Sequence, residues 1–343
     1  MEILIPSFLL SVFGLFNLFG LNQDLFFKQL IFFLIAFIVY FIVKSMGRNF
    51  FKLNANFFYW LLIAILIITY IIGLEVKGSK RWLDLYFFNF QSSEFFKVVF
   101  VLFMANYFSR KKILENNLSF FLKSFLYFIL PAFIIFKQPD LGNASVFAFI
   151  YFVMIIFSDQ PKRFLLYLFS ITGLLAPIGW FFLKSYQKAR FASFLNPHLD
   201  IEGTAYNMIQ AVITIGSGGF FGKGLGLSTQ SRLYFLPENT TDFAFASLVE
   251  QFGFVGGFFV ILLYGIIIYA LAKKMVKYFF QNDTENKIKF LYCLGILSYF
   301  VFQVVINIGM NMGLLPIAGI ALPFISYGGS SVLALMIGFA LLP

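Results

Sequence analysis

Long apolar runs, separated by short segments rich in charge, glycine or proline, dominate the pattern along the chain. A transmembrane helix needs about 20 predominantly apolar residues, and most of the runs reach or approach that length. The fourth run is long enough but contains Glu94 and Lys97, and the last run is short. The pattern predicts about ten membrane-spanning helices, at 3–20, 29–43, 57–74, 87–108, 118–136, 141–157, 164–183, 243–271, 288–308 and 331–343.

Two segments depart from this pattern. A polar stretch at about 184–242 is the only long loop between predicted spans, and it lies between the seventh and eighth of them. The segment 309–330 is rich in glycine and contains two prolines, which predicts a broken or re-entrant segment before the last span. Irregular backbone at membrane depth has to be covered by protein or line a wet cavity.

Basic residues favour one side of the predicted bundle. If the N-terminus lies in the cytoplasm, more than half of the 25 Lys and Arg residues fall in cytoplasmic loops, among them Arg48, Arg110 and Lys287. Membrane proteins carry such an excess in their short cytoplasmic loops. We therefore expect both termini in the cytoplasm and the long polar segment on the outer side.

Composition excludes a soluble protein. Hydrophobic residues make up 61% of the chain and charged residues only 12%, against about 25% charged residues in soluble domains. Cys293 and His198 are the only cysteine and histidine, so a disulfide scaffold and a zinc module are excluded as well. The sequence predicts an all-α polytopic membrane protein that forms a single integral domain over residues 1–343.

Charged residues at the predicted spans are the first candidates for function, because an ionisable group is costly inside a membrane. Glu94 and Lys97 are three residues apart on one helix face, where a purely structural ion pair is the alternative. Arg81 lies at the outer border of the same span. Asp140 stands at the start of the sixth span, where it could be no more than the helix N-cap.

The long polar segment carries the other candidates. Glycines flank Lys223, and their N–H groups could bind a phosphate, although a glycine-rich loop crossing an interface explains the same pattern. Arg190, Arg232 and Glu238 are further candidate contacts for a charged substrate.

Asp242 opens the eighth predicted span, after two threonines. This arrangement is typical of a helix N-cap, but a carboxylate against apolar walls at the outer membrane interface also suits a general base. Glu250 follows eight residues later, about 12 Å deeper along a helix. A buried acid at that depth needs a partner.

Several strings along the chain resemble the SEDS family (shape, elongation, division and sporulation proteins) of bacterial cell-wall polymerases. The resemblance covers nearly the whole chain, and segments 229–238 and 310–312 resemble the rod-elongation member more than the division member. Ser92, Thr240 and Gln251 stand where the family often has proline, histidine and a second acid. The matching strings are Arg81-Trp82, Gln91–Lys97, Gln138–Gly142, Gly216–Gly224, Phe235–Phe243, Asn307–Pro316 and Leu322–Ser331.

The resemblance implies a peptidoglycan glycosyltransferase that polymerises lipid II, with inversion at the donor carbon, during cell-wall elongation. Asp242 would be the general base. Cationic side chains would stabilise the leaving pyrophosphate, and a divalent cation (Mg²⁺ or Mn²⁺) near Asp242 or Asp140 stays open, because the sequence has no metal-ligand spacing. The expected substrate-binding residues are Arg81, Glu94, Lys97, Asp140, Arg190, Lys223, Arg232 and Glu238.

The resemblance also implies a location in the bacterial cytoplasmic (inner) membrane. The expected partners are a class B penicillin-binding transpeptidase and other membrane proteins of the elongation complex, with no nucleic acid. Three alternatives remain at this point: a lipid II flippase or other transporter, a non-catalytic scaffold for the transpeptidase, and a polymerase of another polyprenyl-linked polysaccharide. The candidate residues cluster on the outer side, which argues against a transport path through the membrane.

Overall fold

In the computed structural model of the protein, helices account for most of the chain. The structure describes residues 1–76, 78–86, 88–109, 117–183, 185–196, 204–281 and 283–343; His198 and Arg110 lie outside these ranges. The helices are α1 (Leu4–Leu21), α2 (Gln23–Met46), α3 (Arg48–Leu53), α4 (Ala55–Ile72), α5 (Ser92–Ser109), α6 (Asn117–Lys137), α7 (Leu141–Ile156), α8 (Lys162–Phe182), α9 (Ser185–Leu195), α10 (Thr204–Ser217), α11 (Thr229–Arg232), α12 (Ala244–Phe279), α13 (Thr284–Asn311) and α14 (Gly329–Ala340).

Six helices in the described part of the chain are long and apolar enough to cross a membrane: α1, α2, α4, α6, α12 and α13. The α7 and α14 helices and residues 163–174 of α8 are shorter apolar helices. The prediction of a helical multi-pass membrane protein is confirmed. The number of about ten spans and the cytoplasmic location of both termini stay predictions.

The fourth predicted span begins five residues too early. Residues before Ser92 belong to a small antiparallel sheet of three strands, which follows α4 and adds strands to the predicted all-α fold. A short apolar run fits a strand as well as a helix, so its periodicity cannot distinguish them. The strands are β1 (Leu74–Val76), β2 (Ser79–Asp84) and β3 (Asn89–Phe90).

The long polar segment is not an open loop, because it contains α9, α10 and α11. Its glycine-rich part packs against a kink in α12. Gly253, at the kink, has φ +69°, a conformation that glycine adopts without strain. The N–H groups of Phe254 and Val255 donate to the carbonyls of Gly219 and Phe220 at 2.9 and 3.2 Å. The loop thereby satisfies main-chain donors that the kink frees.

The centre of the bundle is formed by α5 and α13. The α5 helix is buried along nearly its whole length by α4, α7, α13 and α14, so Glu94 and Lys97 face protein. Between α13 and α14 the chain is irregular, as the glycine and proline content predicted; residues 320 and 322–326 are buried, whereas Met312 and Leu314 are exposed. The buried second half satisfies the condition for non-helical backbone in a membrane protein, because other elements cover it.

Candidate functional site

Asp242 lies two residues before α12, and α13 holds its main chain. The Nδ2 atoms of Asn307 and Asn311 donate to the Asp242 carbonyl oxygen at 3.1 and 3.0 Å. Asn311 also accepts from the N–H of Ala246 at 3.0 Å. Both asparagines are fully buried. The beginning of α12 is therefore fixed to α13 on both sides of Asp242.

The two residues before Asp242 are anchored to the irregular segment before α14. The N–H of Tyr327 donates to the Thr240 carbonyl at 2.8 Å, and the Ser326 hydroxyl donates to the Thr241 carbonyl at 2.5 Å. Three successive carbonyls thus have partners from elsewhere in the fold. Phe243 occupies the N-cap position of α12, and within the described residues no side-chain hydrogen bond caps this helix. Asp242 is therefore not the N-cap that its local sequence allowed.

A cationic side chain lies beside the Asp242 carboxylate. Gly319 has φ +66°, and a Cβ added to it would lie 3.6 Å from Nη1 of Arg190 and 3.7 Å from Oδ2 of Asp242. The guanidinium and the carboxylate are thus both within 4 Å of one point. Arg190, on α9, also donates to the Ile317 carbonyl at 3.3 Å. This arrangement brings a hydrogen-bond acceptor and a positive charge to the same main-chain position.

A second polar cluster is buried around α5 and α7. Lys97 is fully buried, and its ammonium donates to Glu94 at 2.7 Å and to Asn143 at 2.9 Å. The same ammonium lies 4.8 Å from the centre of the Tyr299 ring. The ion pair between Glu94 and Lys97 that the sequence suggested is present. The hydrogen bond to Asn143 also connects Lys97 to α7.

The cluster continues from Asn143 to the sheet. Asn143 donates to Asp140 at 2.9 Å, and Asp140 accepts from the Asn143 N–H, so it is the N-cap of α7. Arg81, on β2, lies 3.7 Å from Asp140 and donates to the Pro139 carbonyl at 2.5 Å. Its side chain is 20% exposed. Arg81 is therefore the solvent-accessible end of a chain of contacts that begins at Lys97.

Gly142 brings the two clusters together. A Cβ at this position would lie 2.4 Å from the Ala318 carbonyl oxygen and 3.3 Å from that of Gly319. The first turn of α7 thus packs directly on the main chain of 318–319. Gly319 is in turn within reach of Asp242 and Arg190.

Gly142→Ala is expected to lower both thermal stability and activity, because the added methyl group forces α7 away from the main chain beside Gly319. Overpacking of this kind costs about 1–3 kcal/mol. Gly265→Ala in α12 is the matched control, since a Cβ there meets nothing within 4 Å. Melting temperatures in detergent and polymerisation rates measure the effect. Equal melting temperatures for the two variants would contradict the close packing at Gly142.

Lys223 and Glu250 form a third cluster. Glu250 is fully buried and accepts from the Lys223 ammonium and from the N–H groups of Thr229, Gln230 and Ser231, all at 2.9 Å. A carboxylate at the first turn of α11 is favourable, because these N–H groups have no partner within the helix. Glu250 therefore has the partners that its depth required.

The expected phosphate-binding loop around Lys223 is packed against α12. The main-chain N–H of Lys223 donates to the Glu250 carbonyl at 2.9 Å, and that of Gly224 donates to the Gln251 carbonyl at 3.0 Å. This favours the alternative of a glycine-rich loop at an interface. Arg232 is exposed and donates to the Gly226 carbonyl at 2.7 Å. These contacts bring neither cation to the Asp242 carboxylate.

Glu238 shapes the turn that leads into Asp242. Its φ is +54°, and its carbonyl accepts from the N–H groups of Thr241 and Phe243 at 3.2 and 3.1 Å. Its carboxylate accepts from the Thr241 hydroxyl at 3.0 Å.

Among the described residues, no group of three or more His, Cys, Asp or Glu side chains could hold a metal ion. Asp242 and Asp140 belong to separate clusters.

The sequence interpretation gave no role to Asn307, Asn311, Asn143 or Tyr299. Asn307 and Asn311 are polar residues four apart in an apolar span, so they share a helix face. Polar residues so placed are expensive in a membrane, and this signal could have identified them. Their partners, however, are main-chain carbonyls whose positions depend on the fold.

The "Cell cycle protein" family model, which covers FtsW, RodA and SpoVE, matches residues 4–343. The chain belongs to this family. The family assignment from the sequence motifs is thus confirmed.

Curated relatives support the assignment over almost the full chain. "Peptidoglycan glycosyltransferase MrdB" of Helicobacter pylori is 36% identical over 99% of this chain and 86% of its own length. "Probable peptidoglycan glycosyltransferase FtsW" of Pseudoalteromonas translucida is 34% identical over 95% of this chain and 81% of its own length. "Stage V sporulation protein E" of Bacillus subtilis is 33% identical, over 92% and 85%.

Solved structures show the same fold. A chain from a study of how a peptidoglycan synthase complex coordinates polymerization and crosslinking superposes with a TM-score of 0.83 and 26% identity, over 99% of this chain and 95% of that one. The rod shape determining protein RodA of Thermus thermophilus superposes with a TM-score of 0.72 and 24% identity, over 99% and 93%.

Proposed function

We propose that this protein is a peptidoglycan glycosyltransferase of the bacterial cytoplasmic membrane, which joins lipid II units into glycan strands. The observation that carries the proposal is the arrangement at Gly319, where the Asp242 carboxylate and the Arg190 guanidinium approach the same point. Family membership and the names of the curated relatives supply the reaction class. The contacts around Asp242, Arg190 and Arg81 support the roles that are proposed for these residues.

Asp242 is the proposed general base. It accepts the proton of the acceptor sugar's 4-hydroxyl group, whose oxygen attacks C1 of the donor sugar. The bond from C1 to the pyrophosphate oxygen breaks, and undecaprenyl pyrophosphate leaves as an anion. A single displacement of this kind inverts the configuration at C1. Asn307 and Asn311 hold the base in place, because they bind its main chain from α13.

Positive charge stabilises the leaving pyrophosphate, since charge placed where an anion develops is often a large part of catalysis. Arg190 is the proposed first contact because it shares the space at Gly319 with Asp242. Arg81 is the proposed second contact. Lys97, Glu94 and Asp140 contribute to substrate binding by holding Arg81 through Asn143.

The remaining proposed substrate contacts lie in the long outer segment. Lys223 contributes to substrate binding indirectly, because it pairs with Glu250, which binds the first turn of α11. Arg232 is exposed on that helix. Glu238 is exposed at the turn before Asp242.

A class B penicillin-binding transpeptidase is the proposed partner, which agrees with the similarity to a chain from a peptidoglycan synthase complex. The elongation role rests on the resemblance of segments 229–238 and 310–312.

The test is polymerisation of purified lipid II by the full chain, with and without its transpeptidase partner. Glycan strands that depend on this chain support the proposal. Lipid II translocation across proteoliposome membranes, without strands in the presence of the partner, would contradict it and support a flippase. A control without this chain shows whether the partner preparation forms glycan strands by a polymerase activity of its own.

Asn311→Leu is expected to lower the turnover number about 30-fold, because its hydrogen bonds to the Asp242 carbonyl and the Ala246 N–H, of about 1 kcal/mol each, would be lost beside the base. The KM for lipid II should change less, since Asn311 positions the base and does not contact substrate. Ser298→Ala on α13 is the control: Ser298 is also buried, but in the described part of the chain its hydroxyl donates only to the Leu294 carbonyl of its own helix, at 2.7 Å. A larger change in KM than in turnover would argue against the positioning role.

A further inference from the structure

A cavity of about 660 Å³ lies between α3, α4, α5 and α6. It is at the opposite end of these helices from the sheet and Asp140, since α4 begins beside it at Ala55 and α6 begins beside it at Asn117. With both termini in the cytoplasm, this end of the bundle faces the inner leaflet. The volume falls within the range of about 300–1,000 Å³ that is usual for small-molecule sites.

Aromatic rings form the walls of this cavity. Tyr107 stacks on Phe120 with ring centres 4.5 Å apart, and Phe103 meets Tyr127 edge-on at 4.9 Å. The hydroxyl of Tyr107 donates to the Phe120 carbonyl at 3.1 Å, which fixes the stack across α5 and α6. These rings give the cavity apolar surface that suits the hydrocarbon part of a ligand, beside the polar side chains of Asn56, Asn106 and Ser119.

The charge of the cavity comes from Lys123. No hydrogen bond, ion pair or ring contact of its ammonium exists within the described residues, and the lining contains no acidic side chain. The neighbouring cations on α3 differ, because Arg48 and Lys52 both bind Glu285. Lys123 is thus an exposed positive charge at the cavity, with no acidic partner among the described residues.

We propose that this cavity binds an anionic glycerophospholipid of the inner leaflet, with its phosphate at Lys123 and its glycerol and upper acyl chains against the aromatic walls. Basic pockets between helices on the cytoplasmic side of membrane proteins recognise such headgroups. The tyrosine rings suit this depth, because aromatic side chains with a polar group favour the membrane interface. The site is separate from Asp242, so the inference does not depend on the proposed function.

The test measures lipid binding to the full chain in a neutral detergent, by native mass spectrometry and thermal melting. The probes are dioleoyl phosphatidylglycerol, dioleoyl phosphatidylcholine and free glycerol 3-phosphate. Phosphatidylglycerol should bind and raise the melting temperature, and the other two should not. Lys123→Ala should weaken binding about fivefold, the effect of one basic residue near an anionic headgroup.

Two further variants make the test specific. Lys123→Arg keeps the charge and should keep binding. Lys137→Ala is the matched control, since Lys137 is exposed in the last turn of the same helix, at its other end. Equal stabilisation by phosphatidylcholine, or binding to Lys123→Ala that is as tight as binding to the wild type, would overturn the proposal. Stabilisation by glycerol 3-phosphate equal to that by the lipid would overturn it in favour of a soluble phosphate ester.

Discussion

Asp242→Asn is expected to lower the rate of lipid II polymerisation by about 10²- to 10⁴-fold, the usual contribution of a general base. The amide is nearly the same size as the carboxylate but cannot take up a proton from the acceptor hydroxyl. The main-chain contacts that hold position 242 do not involve its side chain, so they persist in the variant. The measurement is the yield of glycan strands per unit time from purified lipid II.

The matched control is Asp84→Asn on β2. Asp84 is exposed, and its carboxylate accepts from the N–H of Tyr86 at 2.8 Å in the turn of the sheet. This variant should retain the wild-type rate. Melting temperature and binding of the proposed transpeptidase partner should be unchanged in Asp242→Asn. A rate within a few-fold of wild type would remove Asp242 as the base and leave the scaffold alternative in its place.

Lys97→Met is expected to cause the largest loss of stability among these variants. It would leave the Glu94 carboxylate buried without its cation, and breaking a buried ion pair in this way costs about 3–5 kcal/mol. Removing both charges in Glu94→Gln/Lys97→Met should recover most of that loss, because no uncompensated charge remains. Melting temperatures of the two single variants and the double variant give the coupling energy.

The same variants test the proposed link from Lys97 to Arg81. The double variant should keep a raised KM for lipid II, because Asn143 loses the ammonium that orients it. Lys273→Met is the control: its partner Glu2 is exposed, so the melting temperature should not change measurably. A Lys97→Met protein as stable as wild type would contradict the buried ion pair. A double variant with the wild-type KM would exclude Lys97 from substrate binding.

Much of the fold could be predicted from periodicity and composition. Long apolar runs correspond to α1, α2, α4, α6, α12 and α13, and glycine and proline correctly indicated the irregular chain before α14. The beginning of α5 was misplaced by five residues because Phe88 and Phe90, which lie in or beside the sheet, extend the same apolar run. The helices inside the polar segment were missed because α9, α10 and α11 have only 11, 14 and 4 residues, too few to be recognised as spans.

The candidate site could be predicted less completely. Asp242 lies two residues before α12, at the border that the sequence predicted, and its local sequence also allowed an N-cap. The structure argues against the N-cap, because Phe243 occupies the cap position, whereas the role of general base stays a prediction. Lys223 illustrates the reverse case. Its glycine neighbours suggested a phosphate site, whereas Glu250, 27 residues away in the chain, binds its ammonium.

The sequence by itself determined that the chain is a multi-pass membrane protein and that its motifs are those of the SEDS family, since both depend on residue types and their order. Only the tertiary structure decided which polar groups meet. Asn307 and Asp242 are 65 residues apart, and Lys97 and Asn143 are 46 apart. Such pairs form when helices pack, because a buried polar group must find a partner wherever the fold offers one. Chain order does not contain that information.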